Sequence, residues 1–198
     1  MAKSDKKETK SQNGKSGAVK AEKKCSWVVD ISDDELNNKD TKRIINFYLF
    51  HTPIENVCAI ARPLKNYGWN DPWHSPENLN IKMANATTND SFLKESKYVE
   101  DMKDSLEEIG FGENFLEDLT CEKACIYADH ESQYLSVLHH IRNCFAHGRF
   151  RIIRQGRGRD VYYAFEDMST NENVTARMLI KQTTLKEWIK IIESGPDT

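Results

Sequence analysis

The residues best equipped for chemistry lie in one run, Leu138-His139-His140-Ile141-Arg142-Asn143-Cys144-Phe145-Ala146-His147-Gly148-Arg149-Phe150. If this run is helical, each residue turns by about 100° from the last. With Arg142 at zero, Ala146 falls at about 40°, His139 at about 60°, Asn143 at about 100° and His147 at about 140°. Tyr134, Val137, Leu138, Ile141 and Phe145 fall opposite, between about 220° and 320°. One face is therefore apolar, and the other carries a His139–Asn143–His147 ladder with Arg142 beside it. His140 falls off that arc. An imidazole exchanges protons near neutral pH, a guanidinium neutralises phosphate oxygens through two fixed donors, and a carboxamide can orient either. That set suits work on a phosphodiester. In RNA the 2′-hydroxyl can be the nucleophile, so cleavage needs no metal and leaves a cyclic phosphate. Arg142, His147 and Asn143 are the expected catalytic residues, with His139 and His140 as secondary candidates. The same types also have structural uses: a histidine at a helix C-terminus meets the helix dipole, and Arg142 could pair with an acid on a neighbouring helix.

The segment Arg142-Asn143-Cys144-Phe145-Ala146-His147, near the end of a late helix, resembles the Arg-x(4–6)-His motif of the HEPN superfamily. Its flanks, Leu138 to Ile141 before it and Gly148-Arg149 after it, are similar to prokaryotic defence and toxin members. The resemblance covers about 20 residues. It implies a mainly α fold, an antiparallel helical bundle that dimerises so that two motifs meet in a composite site. It also implies a metal-independent endoribonuclease without a cofactor, in a defence or toxin role. On this reading Arg142 and His147 are the catalytic pair and Asn143 the supporting residue. An antitoxin or defence protein is an implied partner, although Arg149 stands where some toxins carry the tyrosine of a His-x-Tyr ending. Other members of the superfamily are inactive and only bind RNA or a protein, which is the alternative reading.

The elements that must hold this helix are expected as follows. Ser26 to Ile31 is a strand or an extended lead-in, and helices run from Leu36 to His51 and from Pro53 to Leu64, the second opened by a Thr52 cap and proline. Tyr67 to Asn80 is a loop holding Trp69 and Trp73, which plug a core edge or stack on a base. Further helices are expected from Ser91 to Ile109, from Glu113 to Tyr127 and from Glu131 to His147, the last ended by Gly148. Residues 149–182 read as a small β-hairpin or meander, with strand-prone runs at Phe150–Arg154, Val161–Phe165 and Val174–Lys181. A final helix spans 183–194. Arg149, Arg151, Arg154, Arg157 and Arg159 form the most basic patch of the body and are expected to guide RNA, the other reading being a solvated hairpin.

Cys121, Cys125 and Asp129 are four apart and would share a helix face, but the pair lacks a second Cys or His pair at zinc-site spacing, so no metal is expected. A metal-dependent enzyme using these cysteines and nearby histidines is the third reading. The chain has 198 residues and five cysteines, with 38% hydrophobic and 30% charged residues and a net charge of -3. Residues 1–24 hold eight lysines against three acids, +5, which leaves -8 for the remainder. A basic disordered tail over 1–25 and one domain over 26–198 follow from that shift. The acidic body excludes a general polyanion binder. The odd cysteine set, the lack of an apolar signal core and the absence of an 18-residue apolar run point to a cytoplasmic protein with no membrane partner.

Overall fold

A computed structural model describes residues 31–55, 58–69, 76–88, 92–112, 115–116, 121–130, 132–155 and 160–196. Their centre is a five-stranded mixed sheet, β1 (Leu93–Ser96), β2 (Lys123–Tyr127), β3 (Phe150–Gln155), β4 (Asp160–Met168) and β5 (Val174–Lys181), in the order β1-β2-β5-β4-β3. β1 runs parallel to β2 and every other pair is antiparallel. Among the described residues six α-helices accompany it: α1 (Asp33–Asn37), α2 (Lys39–Asn46), α3 (Pro76–Asn85), α4 (Met102–Glu108), α5 (Gln133–Ala146) and α6 (Gln182–Ser194).

This α/β architecture overturns the mainly α, HEPN-like bundle. The three late strands are not a small cap on helices; they join β1 and β2 in the sheet on which the helices pack. Two of the expected helices contain these other strands. Ser91 to Ile109 divides into β1, a 3-10 turn at Val99–Asp101 and α4, so that β1 reaches its parallel neighbour through a helical crossover. Within the expected helix at Glu113 to Tyr127, Lys123–Tyr127 is a strand instead. A four-residue spacing is a multiple of the strand period as well as close to one helical turn, so Cys121, Cys125 and Asp129 fit both. In β2, Ala124 and Ile126 enter the core shared with α5 and α6, whereas Cys125 enters the one beneath α4.

Alternation along the sheet sorts the two layers. Tyr163 and Phe165 of β4, Met178 and Ile180 of β5 and Phe150 and Ile152 of β3 meet α5 and α6. Tyr162, Ala164 and Leu179 meet Met102 and Leu106 of α4 with Phe111 and Phe115. Both faces being covered, β4 is buried from Tyr162 to Asp167 without a break.

The helical N-terminal part also differs from expectation. Asn38 accepts hydrogen bonds from the Asp40 and Thr41 amides at 2.9 and 3.3 Å, which separates α1 from α2, and α2 runs into a π-helical turn at Phe47–His51. The described part of Pro53 to Leu64 contains no α-helix; Ile60 is 59% exposed, Pro63 disfavours helix in the residue before it, and a 3-10 turn follows at Leu64–Tyr67. Within the expected loop, α3 already begins at Pro76. Trp69 is buried and donates to the Ile192 carbonyl at 3.4 Å, so it plugs the core beside α6. Trp73 and the tail fall outside the described residues. No described helix is long and apolar enough to cross a membrane.

Candidate functional site

α5 starts where Ser132 accepts from the Leu135 amide at 3.4 Å and ends at His147, with Gly148 in the left-handed region at φ 65. The closing turn holds the Arg149 amide 2.8 Å from the Cys144 carbonyl. Tyr134, Val137, Leu138, Ile141 and Phe145 are buried, as the periodicity predicts. Arg142 and Asn143 are half-buried on the polar side, and His147 is exposed at the helix end.

The structure connects most of this polar side through hydrogen bonds to two acids that sequence reasoning did not assign to the site. Asp129, in the loop after β2, places Oδ2 2.5 Å from His139 Nδ1. Asp167, near the end of β4, places Oδ2 2.8 Å from His140 Nδ1 and accepts from Asn143 Nδ2 at 3.2 Å. Asn143 Oδ1 accepts from an Arg142 guanidinium nitrogen at 3.2 Å. The chain of contacts therefore runs from Asp129 through His139, Asn143 and Arg142, with Asp167 and His140 underneath.

The Asn143 amide orientation determines the state of His139. Arg142 can only donate and the Asp167 carboxylate only accepts, so Oδ1 faces the arginine and Nδ2 the acid. The same Nδ2 lies 3.3 Å from His139 Nε2. Nε2 must then be the acceptor, and the Nδ1 proton is donated to Asp129. His139 is half-exposed, with 27% of its side chain open to solvent and Nε2 on the accepting side of the Asn143 contact.

His140, expected to be secondary, is buried, and both its nitrogens face acceptors: Asp167 at Nδ1 and the Tyr127 carbonyl 2.9 Å from Nε2. Burial opposes charge on this ring, but the Asp167 hydrogen bond, the Asp129 and Asp167 charges and the Tyr127 carbonyl outweigh it and raise its pKa. Burial likewise opposes the Asp167 anion; the His140 hydrogen bond and charge, with Asn143 and the Met168 amide, overcome it and lower the pKa. Asp129 is also lowered, because the His139 hydrogen bond and the three neighbouring histidines offset its desolvation. His140 and Asp167 are thus a buried hydrogen-bonded pair, each biased toward its charged form, that fixes the floor of the site. A bulge between Asp167 and Met168 ends the regular ladder there.

The arginine patch does not converge on this floor. Arg149 donates to the Met168 carbonyl at 3.4 Å, next to Asp167. Arg151 shares its strand face with Ile153, which packs under α4 on the opposite side of the sheet. Arg154 approaches Glu35 at 3.8 Å, and Arg157 and Arg159 fall outside the described residues. Cys125 is buried in β2, where burial pushes its thiol up to about 11, away from the thiolate that a metal requires. A cleft of about 570 Å³ beneath α4, lined in part by Met102, Leu106, Glu172 and Arg177, contains none of the α5 polar residues.

Asp167 carries a readable signal: Tyr163, Phe165 and Asp167 share the strand face that packs on α5, and a carboxylate continuing an aromatic face needs a partner. Asp129 and His130 lie in a loop, and the four-residue spacing that ends on Asp129 points to the cysteines, not to α5. No protein-family model, curated protein or solved structure matches this chain.

Proposed function

We propose that the polar side of α5 cleaves RNA without a metal, the 2′-hydroxyl attacking the adjacent phosphorus. The observation that carries this reading is the Asp129–His139–Asn143–Arg142 chain, which sets an accepting imidazole nitrogen beside a guanidinium on one helix face. His139 Nε2 accepts the 2′-hydroxyl proton as the new P–O bond forms. Arg142 neutralises the charge gathering on the phosphate oxygens. The P–O5′ bond breaks, and the leaving oxygen takes a proton from a histidine for which exposed His147 is the candidate. The products are a cyclic phosphate and a 5′-hydroxyl. The reading rests on these groups and not on a shared bundle fold.

From His139 to His147 the helix rises about 12 Å. That is too far for both imidazoles to serve one phosphodiester in a single chain, so the reading needs a homodimer in which His147 of a second copy completes the site. Arg149, which donates to the Met168 carbonyl beside Asp167, is our candidate for following an RNA backbone here.

The test is incubation of the full chain with RNA in EDTA. Expected are cyclic-phosphate ends and no cut at a position whose 2′-hydroxyl is methylated. Cleavage that needs a metal, or that ignores the methyl group, rejects the mechanism. Binding without turnover leaves the alternative of a non-catalytic RNA- or protein-binding module. The dimer has its own check. A mixture of His139→Ala and His147→Ala chains, each inactive alone, should regain about a quarter of wild-type activity, since half of the random dimers carry one intact site. A mixture that stays inactive rejects the composite site.

A further inference from the structure

We propose that Asp129, His130 and His139 bind one divalent ion of the zinc class, and that the ion switches off the base at His139. One potential ligand atom from each side chain lies within 4.8 Å of the others. His130 supplies the independent indication. Its Nε2 is shut off from solvent without a hydrogen-bond partner among the described residues, 3.9 Å from Asp129 Oδ1. A buried ring nitrogen left in this way loses its hydration with nothing in return, and a metal would restore a partner. The His130 amide donates to Ser136 Oγ at 3.0 Å, which ties the loop to the first turn of α5, and the His130 ring meets His139 edge to face at 4.9 Å.

Two imidazoles and a carboxylate suit zinc, cobalt, nickel or iron(II), and not magnesium or calcium, which prefer oxygen. Tetrahedral zinc holds such ligand atoms about 3.4 Å apart. Asp129 Oδ2, 2.5 Å from His139 Nδ1, must therefore withdraw by about 1 Å, and the carboxylate must turn toward His130 Nε2, which lies 3.9 Å from Oδ1. Rotation of half-exposed side chains can provide both. The Asp129 side chain is 20% exposed, which leaves solvent access for a fourth ligand. His140 Nε2 lies 3.9 Å from Asp129 Oδ2, and the other ring nitrogen of His140 is taken up by Asp167 at 2.8 Å.

The chemical consequence follows from the tautomer. A metal at His139 Nδ1 needs the lone pair there, and the ring's single proton moves through solvent to Nε2. Nε2 then faces the Asn143 Nδ2 hydrogens donor to donor and can no longer accept a proton. Metal binding and base catalysis therefore exclude one another at His139. This consequence, unlike the binding itself, rests on the ribonuclease reading.

The full chain, stripped with EDTA and dialysed free of it, is titrated with zinc chloride by calorimetry and with cobalt chloride by visible absorption, magnesium chloride serving as control. Expected are one zinc ion per chain, cobalt bands of a nitrogen- and oxygen-ligated site and no magnesium binding. His130→Ala and Asp129→Asn should each weaken zinc by about tenfold or more. His130→Ala should cleave RNA in EDTA as the wild type does, yet resist zinc inhibition. No saturable zinc binding, or binding undiminished in both variants, overturns the site. Zinc bound at these residues without loss of cleavage overturns the switch. A chain that binds zinc but never cleaves RNA rejects the ribonuclease reading while the metal site stands.

Discussion

Alanine at His139 should lower the rate of RNA cleavage by about 10²–10⁴-fold, the contribution of a positioned general base. Arg142→Ala should cost about 10²–10³-fold through lost stabilisation of charge in the transition state, and His147→Ala should also remove activity. The urea midpoints of the His139 and His147 variants should stay close to wild type, because His139 is half-exposed and His147 is exposed. Asn143 acts through its neighbours, holding the His139 tautomer and facing the Arg142 guanidinium. Asn143→Leu should therefore lower kcat with little change in KM and move the pH profile, since Nε2 loses its only described donor. Single-turnover cleavage in EDTA with circular dichroism of each variant measures these effects. Full activity in both His139→Ala and Arg142→Ala would remove the site assignment. Loss in His147→Ala alone would return the chemistry to the helix end that the sequence singled out first.

The helix carrying these residues was legible because its information is local. The 3.6-residue period separates Ile141 and Phe145 from Arg142 and Asn143, and the glycine after His147 closes the helix in the left-handed conformation. What the sequence did not reveal is long-range. Asp129 and Asp167 approach α5 from a loop and a strand, and no period along the chain links them to it. The fold misled for a related reason. Runs such as Lys123–Tyr127 are short, and once both faces of a sheet are covered, strands lose the alternation that identifies them. The motif-level resemblance reached only the helix, and the architecture around that helix is a sheet, not a bundle.

Asp167→Ala should destabilise the chain by about 3–5 kcal/mol, the usual cost of removing one partner of a buried ion pair. The pair is nearly closed to solvent, with side-chain exposures of 3% for His140 and 6% for Asp167. Without Asp167, the His140 ring faces the Tyr127 carbonyl with one proton unmatched, and Asn143 loses its anchor. Replacing both partners by leucine should be less damaging than the sum of the single changes, because no charge is left buried alone. The pH dependence has a defined sign. The folded pKa of His140 is raised from 6.5, so its contribution is complete below that value and fades as pH rises through the folded pKa. The folded pKa of Asp167 is lowered from 3.8, so its contribution is present above that value and fades as pH falls through the folded one. Stability from the pair should therefore be greatest between about pH 4 and 6.5 and decline on the alkaline side. Asp167→Asn should flatten that alkaline decline, since it removes the hydrogen bond and charge that raise His140. Urea unfolding at a series of pH values measures both arms. A wild-type stability that climbs from pH 6 to 9, or an Asp167→Asn profile parallel to wild type, would show that His140 is not held as a cation. The buried floor would then be a neutral hydrogen bond, and the Asn143 orientation that fixes the His139 tautomer would lose its charged anchor.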